Sequence, residues 1–396
     1  MKKMKIIIAI DSMKGSLTSM EAGNAAAEGI RRVYKDAEIL VKPLADGGEG
    51  TVSALIGGMG GTMHMVSVTA PLGAKILCQY GIIEKTKTAV IEMAGAAGLT
   101  LVSEKERNPL NTTTYGVGEV ILDAIKKGCR RFIVGIGGSA TNDGGAGMLQ
   151  ALGYQFLDQN GNEIPWGAKG LETLEYIACE NVLPELKECE FYVACDVTNP
   201  LCGTRGCSMV YGPQKGADHE MAIEMDQWMK KYACKAEKCF KKADPDYPGA
   251  GAAGGMGFAF MTFTNAKLRS GITIVLEEIG LRKEIQEADV VLTGEGCLDG
   301  QTAMGKAPVG VAALAKQYGI PVIAVAGSVA EDAIACHKKG IDAIFPILRR
   351  VTTLKEAMNP QNAKKNMADT TEQIFRLWKI MHNQEENSPY DRNLCI

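Results

Sequence analysis

The sequence predicts an α/β protein: a parallel Rossmann-like or flavodoxin-like domain, with a second, smaller α/β domain inserted in two pieces. Three observations predict it. At 396 residues the chain is long for a single core. Short apolar runs alternate with helical patterns, the rhythm of a parallel sheet wrapped by helices. The ends of those runs carry most of the Gly-Asp clusters, and ligands of open α/β sheets bind at the carboxyl ends of strands.

Taken in order, "KIIIAI" (5–10) reads as a buried strand leading into "DSMKGS". A helix should start at Thr18, whose hydroxyl forms a capping box with Glu21 three residues on. "EILVKPLA" (38–45) is a second strand, followed by "DGGEGT" and a helix from about Thr51. "RRFIVGI" (130–136) runs into "GGSATNDGG" and a helix through Met148 and Leu149. "FYVAC" (191–195) ends at Asp196, and "ADVVLTG" (288–294) precedes the helix "APVGVAALAKQYG". "IPVIAVAG" (320–327) and "IDAIFPI" (341–347) complete the strands.

Two stretches break this rhythm. Residues 61–110 contain extended runs such as "TMHMVSVTAP", and 197–285 hold loops, a charged helix near 218–243 and the Gly-rich "YPGAGAAGGMGFAF". The expected division is therefore 1–60, 111–196 and 286–382 for the Rossmann-like domain. The smaller one takes 61–110 and 197–285, and 383–396 is a polar tail.

Composition narrows the function. Net charge is −3 with dispersed basic residues, which points away from nucleic acid and from a membrane surface. No signal peptide or membrane-spanning run is visible, so a soluble cytoplasmic protein is expected, and a homodimer is compatible with it. The twelve Cys read as reduced thiols. Cys202/Cys207 and Cys234/Cys239 have a loose zinc-like spacing, but without any Cys-x-x-Cys they read as packing residues. Four His without metal-binding spacing, and no Gly-x-Ser-x-Gly, exclude the usual zinc and serine hydrolases.

Three glycine motifs remain. "GIGGSA" (135–140) fits a dinucleotide fingerprint after a strand, with Asp158 at the distance of a ribose-binding acid. That supports an NAD-dependent oxidoreductase of small hydroxy acids as the alternative function. Asp143 opposes it, since a carboxylate at a helix N-terminus repels pyrophosphate unless a cation intervenes. "GAGAAG" (249–254) fits the same pattern but follows "DPDYP" rather than a strand. "GQTAMGKA" (300–307) is a P-loop pattern with Ala307 where Ser or Thr should hold magnesium. Its acids Glu295 and Asp299 make it a different phosphate-and-metal loop rather than a broken P-loop. Loop carboxylates beside Lys and Gly-rich amides suit phosphoryl transfer, in which cations spread the moving charge and one carboxylate takes the acceptor's proton.

The blocks "AIDSMKGSLTSMEA", "PLADGGEGT", "IEMAGAAGL", "NTTTYGVGE", "GIGGSATNDGGAGMLQALG", "CDVTNPLCG", "YGPQKGA", "PGAGAAGGMGF" and "TGEGCLDGQTAMGK" follow in order. From about residue 4 to 380 the chain closely resembles the bacterial glycerate kinases of the first class, related to galactarate- and glyoxylate-pathway enzymes. Met13 stands where that family often has Phe. The resemblance implies phosphorylation of D-glycerate with ATP and Mg2+, usually to 2-phosphoglycerate, 3-phosphoglycerate being the other outcome. It also implies two α/β domains with the site in the cleft between them.

Roles are assigned from chemistry. Asp196 or Asp46 is the expected base, with Lys14 neutralising the transferred phosphoryl. Ser12, Glu49, Arg205 and Lys215 are expected at the substrate. Gly137, Gly138, Ser139, Thr141, Gly294 and Lys306 are expected at the nucleotide, and Asp143, Glu295 and Asp299 at the metal. Each acid has a competing role as an N-cap or Asx-turn, Asp46 most of all, since "DGGEGT" is also good turn chemistry.

Overall fold

Strand β1 (Lys5–Ile10) is buried along its whole length. In this computed structural model, which describes residues 3–48 and 50–386, it lies inside a sheet. The chain divides into two units, Met1–Ala45 with Leu276–Ile396, and Asp46–Val275.

The first unit holds a five-stranded sheet in the order β13–β12–β11–β1–β2. Its strands are β1, β2 (Glu38–Pro43), β11 (Val290–Leu298), β12 (Val322–Val329) and β13 (Ala343–Pro346). All neighbours are parallel, with Ile6 opposite Val290 on one side and Ile39 on the other. Within the unit this is the order 2-1-3-4-5, the flavodoxin-like winding, and its direction reverses between β1 and β11. The helix Ser19–Arg31 makes the first crossover and starts with the expected capping box, Thr18 Oγ1 accepting from Glu21 N. It packs so closely on the helix Pro360–Glu386 that a Cβ on Gly29 would sit 2.0 Å from the Ala368 carbonyl. That terminal helix runs through Asn383 to Glu386, beyond the start of the expected tail, and residues 387–396 lie outside the described range.

The second unit holds a six-stranded sheet in the order β10–β9–β6–β5–β4–β3. Its strands are β3 (Thr62–Thr69), β4 (Lys75–Ile83), β5 (Thr88–Glu92), β6 (Arg131–Gly135), β9 (Glu190–Ala194) and β10 (Ala266–Arg269). From β10 to β5 the neighbours are parallel, and β5–β4–β3 is an antiparallel meander. A separate hairpin joins β7 (Gln155–Leu157) to β8 (Tyr176–Ala178). The core is aromatic, with Phe132 stacked on Phe191 at 4.7 Å and Tyr232 edge-on to Phe258 at 5.4 Å.

The division differs from the expected one. The expected division puts β6 and β9 in the Rossmann-like sheet and 61–110 in the smaller domain, yet β5 pairs directly with β6, Ala89 opposite Phe132. Residues 46–60 and 111–196 therefore belong with the insertion, which is one continuous stretch and the larger of the two units. Periodicity locates strands, but backbone pairing decides which sheet they join.

Candidate functional site

In the second unit the carboxyl ends of β6 and β9 open into a cavity of about 370 Å³. Among its lining residues are Asp46, Asp196 and Lys215, expected at the base and substrate, and Gly137, Gly138 and Ser139, expected at the nucleotide but here on the same wall as those acids.

Asp46 shows that turn chemistry and site membership coexist. Its Oδ1 accepts from Gly48 N at 3.0 Å, closing an Asx-turn, and the same side chain lines the cavity. Between them Gly47 has φ +91°, and a Cβ there would lie 2.6 Å from the Ala194 Cβ and 2.8 Å from Gly271 Cα. Only glycine lets this turn lie across the end of β9. Asp196 follows that strand by two residues, its Oδ1 accepting from Gly271 N at 3.1 Å. Its side chain reaches solvent through the cavity, but the walls restrict its hydration. This desolvation pushes its carboxyl above the usual range, the Gly271 bond works against it, and the negative charge of Asp46 adds to the rise.

The loop 135–145 is fixed almost residue by residue. Leu99 N donates to Gly138 O at 2.8 Å and Ala140 N to Ala97 O at 2.9 Å. Lys215 Nζ donates to Ser139 Oγ at 2.9 Å and to Thr141 O at 2.6 Å. Asn142 Nδ2 donates to Ser208 Oγ at 2.8 Å. Such a loop meets a ligand already in place.

Asp143 corrects an expectation. It is 1% exposed and accepts from Thr114 N, Thr114 Oγ1, Gly145 N and Gly147 N at 2.8–3.3 Å. Burial pushes its carboxyl up, and these four donors oppose that rise. It joins the loop to the helix starting at Tyr115 and is used up in doing so, which does not fit a metal ligand. Thr141 is fully buried and reaches Lys215 through its carbonyl, but it is not among the cavity's lining residues. Arg205 is exposed and also stands outside the lining, its carbonyl accepting from Asn199 Nδ2. Glu49, expected at the substrate, lies outside the described residues.

Asp158 loses the ribose role. It closes a tight turn just after β7, Oδ1 accepting from Asn160 N at 2.8 Å and Asn162 N at 2.9 Å. Those bonds hold its carboxyl below the usual range. The strand before it pairs with β8, outside the sheet that holds β6, so the dinucleotide pattern lacks its second strand.

Some cavity residues were missed. Tyr211 and Gln214 line it within the "YGPQKGA" block, from which only Lys215 was chosen. Ala252 and Ala253 line it from "GAGAAG", where Ala253 is left-handed (φ 53°, ψ 40°). A non-Gly residue held there marks a constrained site. The motif's position after a loop obscured that signal.

The first unit gathers its own group at the reversal of its sheet. Asp11 N donates to Gly294 O at 2.8 Å, Ser12 N to Asp11 Oδ1 at 2.6 Å, and Lys14 is exposed just beyond. A Cβ on Gly296 would be 3.5 Å from Met13 Cα, so the two loops touch. Strand β11 continues to Leu298, past its expected end at 294. Gly294 is required there, because a Cβ would meet the Val325 carbonyl at 2.0 Å. Thr302 Oγ1 donates to Glu295 Oε1 at 2.6 Å and lies 3.3 Å from Asp299 Oδ1. Burial acts to raise the Asp299 carboxyl, but the Thr302 bonds and Lys306, whose Nζ is 3.8 Å away, hold it below the usual range. Lys306 is the N-cap residue of the helix Ala307–Lys316, and a short 3₁₀ turn, Thr302–Met304, fills the span where a P-loop would curl.

Magnesium is commonly held by one or two carboxylates together with substrate phosphates. Glu295 and Asp299 fit that donor set and Asp143 does not. Among the described residues no three His, Cys, Asp or Glu form a metal cluster, and no helix is long and apolar enough to cross a membrane.

Comparison with known proteins gives the family. The model of the glycerate kinase family matches residues 6–379. The chain is 48% identical to a glycerate 2-kinase of Escherichia coli K12, over 93% of this chain and 98% of that one. It is 46% identical to a glycerate kinase of Bacillus subtilis, over 95% and 98%. The crystal structure of a "putative glycerate kinase 2" from Salmonella typhimurium LT2 superposes with a TM-score of 0.90 at 44% identity, covering 96% of this chain and 100% of the other.

Proposed function

Since this chain belongs to the glycerate kinase family, we propose that it transfers the γ-phosphoryl group of ATP to the 2-hydroxyl of D-glycerate, giving 2-phosphoglycerate and ADP. The observation that carries the reading is the cavity at the ends of β6 and β9, with two carboxylates, a buried lysine and a rigid Gly-rich loop on its walls. The Escherichia coli relative's description as a glycerate 2-kinase supports the 2-position over the 3-position.

Asp196 is the proposed base. Its raised pKa makes it a better proton acceptor than an ordinary aspartate. The hydroxyl proton passes to Asp196 as the oxygen bonds to phosphorus and the bond to the bridging oxygen of ADP breaks. Asp46 shares the wall and keeps the local charge negative, which favours proton uptake by its neighbour. Gly294 and Lys306 are the proposed nucleotide residues of the first unit, with Lys14 neutralising the phosphoryl in transfer. Magnesium, held by Glu295 and Asp299 with the phosphates, would supply charge neutralisation on the departing ADP. A cytoplasmic setting belongs to the same reading, since the described cysteines are all free thiols.

Phosphorus NMR of purified protein with ATP, magnesium and D-glycerate tests the proposal. A new phosphomonoester split into a doublet by one proton is expected; a triplet would move the product to 3-phosphoglycerate. Unreacted ATP and D-glycerate would overturn the kinase reading.

A further inference from the structure

Lys215 is a cation the fold has taken out of water. The side chain is 2% exposed, and its Nζ has two neutral acceptors, Ser139 Oγ and the Thr141 carbonyl. An ammonium has three N–H donors, and two are accounted for. No carboxylate pairs with it among the described residues, although the side chain lines a cavity that also holds Asp46 and Asp196. A buried charge without a counter-ion is costly, and an anion entering the cavity relieves that cost.

The rest of the wall says which anion. Asp46 and Asp196 are acceptors that repel a polyphosphate but welcome hydroxyl donors. Leu99, Ile136 and Val197 offer apolar surface suited to a short carbon chain. One cation, two hydroxyl acceptors and an apolar wall match a small hydroxy acid carrying a single carboxylate. We infer that Lys215 reads the substrate's carboxylate, its third N–H taking an anionic oxygen, so that the cavity selects the hydroxy acid over the corresponding neutral polyol. The inference rests on the proposed function and names the group that sets its specificity.

The same burial makes this recognition depend on pH. Desolvation pushes the Lys215 ammonium down to about 8, while Cys207 and Asp143 act the other way. The other groups around it are Arg107, whose carbonyl and Cβ abut Gly216, Asp218 capping the next helix, and Asp46, Asp196 and Tyr211 on the cavity wall. Burial pushes the Cys207 thiol up to about 11, above the range in which Lys215 loses its proton, and raises the Tyr211 phenol as well. Since the folded pKa of Lys215 lies below its ordinary value, the charge is present below about pH 8 and is lost above it.

The experiment is the KM for D-glycerate at saturating ATP, from pH 7 to 9.5, in the wild type, Lys215→Arg and Lys215→Met. In the wild type KM should rise about thirtyfold across that range, as the ammonium deprotonates. Lys215→Arg keeps its charge and should flatten the profile. Lys215→Met should raise KM for D-glycerate at least about a hundredfold and narrow the preference for D-glycerate over glycerol, with KM for ATP nearly unchanged. If Lys215→Met fails to fold, the wild-type profile decides. A wild-type KM independent of pH, or a Lys215→Met defect confined to ATP, overturns the inference while phosphoglycerate still forms. Absence of phosphoglycerate in the wild type would be failure of the kinase reading itself.

Discussion

Residues 135–145 and 294–306 are two Gly-rich segments at the ends of buried parallel strands, each leading into a helix and each carrying acids. In the first, Asp143 is 1% exposed and receives four hydrogen bonds. In the second, Asp299 is partly exposed and keeps Lys306 at 3.8 Å. A carboxylate saturated with donors holds a loop together, whereas one left partly in water beside a cation is free to meet a ligand. Topology separates the two units as well. The winding of the first sheet reverses between β1 and β11, where α/β proteins bind ligands, while the second runs in one direction and makes its cavity from loops laid across β6 and β9.

The widest separation should come from the acids of the second unit. Asp196→Asn should lower kcat by about 10²–10⁴ with little change in KM for ATP, measured by ADP release. The acid limb of the wild-type kcat should lie above the ordinary aspartate value of about 3.9, because Asp196 must lose a proton that desolvation makes it hold. A folded pKa that is raised favours the folded state at low pH, and that contribution is lost as pH climbs through it. Asp196→Asn should therefore leave Tm at pH 7 unchanged or slightly higher. A normal rate in this variant would remove Asp196 as the base.

Asp143→Ala should instead act on stability. It strips partners from Thr114, Gly145 and Gly147, and a loss of about 3–5 kcal/mol is expected in urea unfolding. A stable variant with weakened metal dependence would return Asp143 to the metal and erase the contrast between the loops.

Smaller effects belong to the first unit. Lys306→Met should raise KM for ATP about tenfold, the worth of one charge-assisted contact, and leave KM for D-glycerate alone. Ala307→Ser should change KM for ATP less than about twofold. Residue 307 is fully buried at the start of its helix, so the added hydroxyl has no loop to complete. A clear gain in ATP affinity would mean that the segment works as a P-loop after all.

Much of this was legible in the residues. "KIIIAI", "RRFIVGI" and "ADVVLTG" became β1, β6 and β11 because unbroken apolar runs bounded by glycines have few other fates. The capping box at Thr18 formed because its parts lie within one turn. Lys215, Asp196 and Asp46 were picked out by residue type and loop position, and they share a cavity. Less legible was anything that depended on a distant partner. Asp143 looks like a ligand, since nothing local reveals that Thr114 claims it, whereas Asp158 is held by its own neighbours Asn160 and Asn162. Ala253 went unnoticed because its left-handed conformation leaves no mark on an alanine's identity.

By itself the sequence determined the elements, the family and the set of residues able to do the chemistry, since each rests on local pattern or on residue type. Only the tertiary structure decided that β6 and β9 pair with β5 and β10 rather than β1, and that Asp143 is spent on folding. It alone shows that Lys215 is sealed at the cavity wall with one donor to spare. Pairing and burial are relations between residues far apart in the chain. They set the dielectric and the donor count around each charge, and these decide what a carboxylate or an ammonium does.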